Sequence, residues 1–246
     1  MLSRVDIPTV ALRPVALRDV SKAEIVEAIA NARGPAESFV GVNAHTVYLA
    51  ERDANFREVL EDAWRFCDGF GVHLLAVLQG LPRPRHRNTP TDFMWDVFAR
   101  MHADGRTVYL LGDEPGVAEK FARMLNERHP GLVCGQRDGF FKTSSEEEQK
   151  IVEEIHALRP HLLCLGMGQP RQEKWAHRLR EELGCAAVLN LGASMAFAIG
   201  ARKRGPAWAT GRGLEWLFRV LAEPRKMFAR YFVEIPWLVL RALRNR

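Results

Sequence analysis

The sequence predicts an α/β fold: a Rossmann-like, mostly parallel sheet flanked by helices, with a C-terminal helical, amphipathic appendage. Three observations carry this reading. Short apolar runs alternate along the chain with segments of helical period. The clearest runs, in the second half, are uniformly apolar, as parallel strands covered by helices on both faces are. The composition, 47% hydrophobic and 26% charged over 246 residues, is that of a globular chain with a sizeable core, and it excludes collagen-like, disordered and disulfide-framework proteins.

The elements follow in order. Ser21-Lys22-Ala23-Glu24 reads as a capping box opening a helix through about Ala30, because a Ser oxygen and a Glu three residues on satisfy orphan amides. SFVGVNAH (38–45) reads as a buried strand ending at Asn43, followed by a helix to about Trp64. A short strand runs into Cys67, the turn DGFG (68–71) follows, and VHLLAVL (72–78) is helical. The proline- and arginine-rich loop GLPRPRHRNTP (80–90) precedes a helix from Thr91 to about His102. TVYLLG (107–112) is a strand, Gly116 to Arg128 a helix, and LVCG (132–135) a strand. After the loop RDGFFKT (137–143), residues 144–159 form a helix capped by Ser144 or Ser145 with acids in its first turn. HLLCLG (161–166), PRQEKWAHRLREEL (170–183) and AAVLNLG (186–192) complete a strand, a helix and a strand.

The net charge of +5 is unevenly placed. Residues 202–246 hold 11 Lys/Arg against 3 Asp/Glu, a net +8, while the first 201 hold 24 against 27, a net −3. The chain is accordingly divided into an α/β unit, 1–204, and a basic, aromatic-rich appendage, 205–246. In the appendage, Leu214 to Leu221 reads as a helix ending before Pro224, and Arg225 to about Phe232 as another. Met227, Phe228, Tyr231 and Phe232 share one face of the second, alternating with Arg225, Lys226 and Arg230. That make-up suits a helix lying on an anionic membrane; a packed terminal helix pair is the alternative. No uncharged stretch of membrane-spanning length occurs, and the first 15 residues lack the apolar run of a signal peptide. Cys67, Cys134, Cys164 and Cys185, widely spaced and without a C-x-x-C pair, are expected to be reduced, as in a cytosolic protein.

Chemistry is sought at strand ends. Gly166-Met167-Gly168-Gln169-Pro170-Arg171 joins a strand to a helix, where glycines let a ligand approach the backbone and free amides favour anions. Arg171 opposes the helix dipole there unless an anion or carboxylate answers it; a tight turn with a solvated Arg is the alternative. Asp68 is placed to act as a general base or to cap the following turn. Asn43 is a ligand-binding amide or a helix cap. Arg83, Arg85 and Arg87, with no compensating acid beside them, suggest phosphate contacts, against a solvated surface loop. No P-loop, dinucleotide fingerprint, zinc spacing, D-x-D pair or G-x-S-x-G elbow is present, which disfavours kinase-type ATPases, nicotinamide enzymes, metalloenzymes of those types and serine hydrolases.

Taken together, VNAHTVYLA, CDGFGVHLLA, RNTPTDFM, VYLLGDEPGVAEKFARML, HPGLVCGQRDGFF, LLCLGMGQPRQEKW and GLEWLFRVLAEPRKMFARYF resemble the WecG/TagA/CpsF glycosyltransferase family over nearly the whole chain. The resemblance implies an inverting, metal-independent transfer of a sugar, often N-acetylmannosamine or its uronic acid, from a UDP-sugar. The acceptor it implies is an undecaprenyl-diphosphate-linked sugar on the cytoplasmic membrane face, in surface polysaccharide or teichoic acid synthesis. No cofactor and no nucleic-acid partner are expected, and self-association is left open. By the same resemblance Asp68 is the general base, and Asn43, Arg87, Gln172, Gly166, Gly168 and Arg171 form the donor site. Arg219, Arg225 and Arg230 belong to a lid that supplies cations to the diphosphate. Three positions depart from the family pattern: Gly41 where threonine is common, Pro90 where the R-x-x-G segment has glycine, and Ala196 where many members have aspartate. A non-catalytic membrane-peripheral protein that binds lipid-linked sugar is the rival reading.

Overall fold

The computed structural model describes residues 8–202, 220 and 224–244. A hairpin of β1 (Thr9–Val10) and β2 (Leu17–Arg18) leads into β3 (Glu37–Val42), β4 (Trp64–Cys67), β5 (Val108–Gly112), β6 (Val133–Arg137), β7 (Leu162–Gly166) and β8 (Ala187–Asn190). They form one sheet in the order β1-β2-β4-β3-β8-β7-β5-β6, antiparallel only in the hairpin. The expected mostly parallel α/β sheet is present; the two-residue hairpin strands are an addition too short to carry a sequence period. β5, β7 and β8 are buried throughout, as their uniform apolarity requires.

Helices α1 (Lys22–Ala30), α2 (Ala44–Arg52), α3 (Ala54–Glu61), α4 (Phe70–Leu78), α5 (Pro90–Ala103), α6 (Val117–Arg128), α7 (Glu146–Leu158), α8 (Arg171–Arg178) and α9 (Ser194–Ala198) cover both faces. On one side Ile29 of α1, Phe93 and Phe98 of α5 and Phe121 of α6 pack on Phe39, Phe66, Leu110 and Leu189. On the other, α2, α3 and α4 cover Val40, Val42 and Cys67, while α7 and α8 cover Leu111, Leu163 and Val188. Successive residues of one strand thus serve opposite cores.

The capping box predicted at Ser21 is formed with Glu24. The helix expected from Asn43 to about Trp64 is two helices, because the Asp53 side chain caps a new start by accepting from the Phe56 N–H at 3.0 Å. Phe70 and Gly71, expected in a turn, are the first turn of α4. Helix α8 ends at Arg178, short of the expected Leu183. All four cysteines are unpaired, and burial pushes the Cys67 and Cys185 thiols up to about 12.

At the C-terminus α10 (Pro224–Ala229) passes through a π-helical turn, Arg230–Glu234, into α11 (Ile235–Arg244). Pro236 lacks an N–H and would crowd the Phe232 carbonyl in a regular turn; the wider turn, closed by the Ile235 N–H on the Arg230 carbonyl, lets the helix continue past Phe232, where the sequence reading ends it. This segment is docked on the body. Leu238 enters the core of α2 and α4, Trp237 meets Tyr48 edge-on at 5.4 Å, and His45 Nδ1 lies 2.7 Å from Glu234 Oε2. The expected common face of Met227, Phe228, Tyr231 and Phe232 is split: Met227 is buried, whereas Phe228 and Phe232 are exposed and stacked on each other. The expected boundary at 204–205, the helix predicted over 214–221 apart from residue 220, Arg219 and the Arg225 side chain lie outside the described residues.

Candidate active site

Parallel strands deliver their following loops to one edge, and of the predicted site residues Asn43, Asp68, Arg87, Gly166, Gly168, Arg171 and Gln172 lie on or next to those loops. Asp68 follows β4 and Asn43 follows β3; the two are tied by the Asp68 N–H donating to the Val42 carbonyl at 2.8 Å. Asn43 does act as the cap of α2: its Oδ1 accepts from the Thr46 N–H at 3.2 Å, and the Thr46 hydroxyl accepts from the Asn43 N–H. With Oδ1 committed to the helix, Nδ2 is turned toward Asp68 Oδ2, 3.5 Å away. Capping and site-building are therefore one arrangement. The N-cap of α4 is Gly69, with no side-chain cap.

Gly41 makes room for Asp68. A Cβ at that position would stand 3.0 Å from Asp68 Cβ and 3.2 Å from the Phe66 ring, so a larger residue would press on Asp68 and require its neighbours to shift slightly. Asn88 N–H donates to the Cys67 carbonyl and brings Arg87 alongside, with its guanidinium over the Phe70 ring at 4.3 Å. Burial, helped by Arg87 and then Arg83, holds His73 of α4 below its ordinary pKa. The arginine loop does have a compensating acid, contrary to the sequence reading. Asp19, 66 residues away, accepts from the Arg85 N–H and from Arg85 Nε at 3.0 Å, which the linear sequence conceals.

The glycine loop after β7 lies beside this cluster. Gln169 accepts from the Thr46 hydroxyl at 2.9 Å and its Nε2 is 3.5 Å from the Gly41 carbonyl. Gln172 is buried, and both ends of its amide are used: Oε1 accepts from the Gly168 N–H at 3.0 Å and Nε2 donates to Glu173 at 2.8 Å. It shapes the loop from behind. Arg171 donates to the Gly139 and Phe141 carbonyls at 2.8 and 2.7 Å and stacks on the Phe141 ring, tying the loop after β6 to the loop after β7.

Beyond Gly168 a cleft of about 170 Å³ opens, lined among others by Asp113, Gly139, Gly166, Gly168, Ala193 and Arg202. Its floor is formed by strand ends in close approach: a Cβ on Gly112, at φ +146°, would lie 2.4 Å from the Gly166 backbone, and one on Gly166 would lie 2.5 Å from Met195 Cε. Helices α6 and α8 begin at this edge with no side-chain cap; the Val117 and Gln172 N–H groups donate to the Glu114 and Gly168 carbonyls, and the remaining first-turn amides favour an anion. Ala196 is buried, and its N–H donates to Asp113 Oδ2 at 3.3 Å. Asp113 therefore places a carboxylate beside Ala196.

Asp113, Arg202, Thr46, Gln169 and Glu173 belong to this edge and are absent from the residues the sequence singled out. Asp113 had a usable signal: like Asp68, it is a carboxylate directly after an apolar parallel strand. Arg230 is half-buried in the π turn. Among the described residues no three His, Cys, Asp or Glu side chains converge on a metal-sized site, and no helix is long and apolar enough to cross a membrane. The family model described as glycosyl transferase WecG/TagA/CpsF matches residues 10–246.

Proposed function

As the chain belongs to the WecG/TagA/CpsF glycosyl transferase family, which works in cell-surface polysaccharide synthesis, we propose that it moves a hexose from a UDP-sugar to an undecaprenyl-diphosphate-linked sugar, with inversion and without a metal. The observation that carries this is the half-buried Asp68 carboxylate at the end of β4, braced by Gly41 and Asn43 next to the glycine loop that lines the cleft. Asp68 takes the proton of the acceptor hydroxyl as that oxygen bonds to the anomeric carbon. The bond from that carbon to the diphosphate breaks on the opposite face, and UDP leaves. The uncapped starts of α6 and α8, Arg87, and the appendage cations Arg219, Arg225 and Arg230 offset the charge that develops on the diphosphate. Glycine at 41, a family departure, is compatible with this role because it leaves Asp68 its space.

The enzyme works at the inner face of the cell membrane. Supporting this, Phe228, Phe232, Val233, Leu240 and Leu243 are exposed on the docked C-terminal helix, in a segment with a net charge of +8 over 202–246. Basic charge and an exposed apolar stripe together suit an anionic bilayer. Removing residues 205–246 would also uncover the seat of Leu238, so surface variants are the cleaner test. Phe232→Ser with Leu240→Ser is expected to lower co-sedimentation with phosphatidylglycerol vesicles about tenfold while the protein stays folded; unchanged binding would remove the membrane from this reading. The central experiment incubates the protein with a panel of UDP-sugars and a lipid-diphosphate acceptor, with and without EDTA. Transfer that survives EDTA is expected. No transfer from any donor would favour the non-catalytic lipid-linked-sugar binder.

A further inference from the structure

Glu173 is 1% exposed, and the proposed chemistry does not use it. Its Oε1 accepts from Gln172 Nε2 at 2.8 Å, but Oε2 has no hydrogen-bond partner among the described residues. A carboxylate so enclosed needs a cation, and no salt bridge to it is formed among the described residues. The charged neighbours on α8 are engaged elsewhere, Lys174 with Asp53 of α3 at 2.6 Å and Arg178 with Glu148 of α7 at 2.6 Å. From α2, His45 is held by Glu234. The groups that act on the Glu173 carboxyl are burial, which raises it to about 7, and more weakly the Gln172 amide, its own backbone N–H and the Gln169 amide.

The amide of Gln169 leads back to the site. It accepts from the Thr46 hydroxyl at 2.9 Å and approaches the Gly41 carbonyl at 3.5 Å; Thr46 in turn holds Asn43 Oδ1 through its N–H, leaving Asn43 Nδ2 facing Asp68. We infer that Glu173 is a positioning residue for Asp68, acting through Gln169 and Thr46 on the Asn43 amide. As a neutral acid it leaves Gln169 where it stands. Once ionised, its Oε2, which has no hydrogen-bond partner among the described residues, draws the Gln169 amide nitrogen away from Gly41, and Thr46 and Asn43 lose their support. The role rests on the reading of Asp68 as the general base. The coupling of Glu173 to the Asp68 carboxyl does not depend on that reading.

The test uses the full-length protein and two readouts. With the UDP-sugar and lipid-diphosphate acceptor, wild-type kcat is expected to fall about tenfold from about pH 6 to about pH 8.5, with an inflection near 7 that is absent in Glu173→Gln, whatever that variant's level at the acid end. Independently, the carboxyl ¹³C signal of Asp68, assigned through Asp68→Asn, is expected to show the same inflection in wild type and none in Glu173→Gln. An Asp68 signal that does not inflect near 7, or an inflection that survives in Glu173→Gln by either readout, overturns the inference. If the Asp68 signal is coupled but wild type transfers no sugar, the coupling stands and the proposed function is what fails.

Discussion

The two halves of the sheet's carboxyl edge are built on opposite plans. At the ends of β3 and β4 polar groups answer one another: Asn43, Thr46, Gln169 and the Gly41 carbonyl form a chain that braces Asp68. At the ends of β5 and β7 the chain instead uses glycines at 112, 166 and 168, leaves α6 and α8 without side-chain caps, and opens a cleft. A base must be held within a narrow range of positions to act on a proton, whereas an anion is best met by backbone amides with no side chain in the way. Under the proposed function the braced half holds the base, and the open half, together with Arg87, takes the donor.

The division is most exposed to a substitution at Asp68. Asp68→Asn is expected to lower kcat about 10³-fold while UDP binding measured by calorimetry stays within about twofold; retained turnover would remove Asp68 from catalysis. The next largest effect is one of stability. Glu173 holds its proton to about 7 in the folded chain against an ordinary value of 4.5. The native state therefore binds more protons than the unfolded one between these values, and stability is full below about 4.5 and lost as pH rises through 7. The loss amounts to at most about 3 kcal/mol, visible as a falling urea midpoint in wild type that Glu173→Gln flattens. In the open half, Asp113→Ala is expected to raise KM for the UDP-sugar about tenfold, roughly 1.4 kcal/mol, with kcat little changed; a fall in kcat alone would mean that the two halves share the catalytic task. The smallest effect is Asn43→Ala, which removes the cap of α2 for about 1 kcal/mol of stability and should also lower kcat, because the same side chain faces Asp68. Lost stability with unchanged kcat would reduce Asn43 to a cap.

Much of this edge was legible in advance. Asp68, Asn43 and the Gly166–Gly168 loop follow apolar runs, and a parallel sheet brings all such ends to one side. Gln172 and Arg171 were legible as important but not in what they hold: their partners, the Gly168 N–H, Glu173 and the Gly139 and Phe141 carbonyls, include groups 30 and 32 residues distant. The acid that answers Arg85 is Asp19, invisible to any local window. The break at Asp53 was missed because an apolar helical period runs through it, and only the Asp53 side chain capping Phe56 stops the helix.

By itself the sequence determined the α/β class, the family, the placement of a carboxylate at a strand end and the concentration of positive charge after residue 201, since each depends on residue type and local period. Only the tertiary structure decided that Asn43 caps α2 with its Nδ2 facing Asp68, that Arg171 and Gln172 support loops, and that Glu173 is buried with one carboxylate oxygen lacking a partner among the described residues. It also decided which face of the C-terminal helix is covered: Leu238 goes into the core and Phe232 to the surface. The physical reason is the same throughout. Hydrogen bonds and burial act over a few ångströms in space, and residues that far apart in the fold are separated in the chain by anything from 1 to 189 positions.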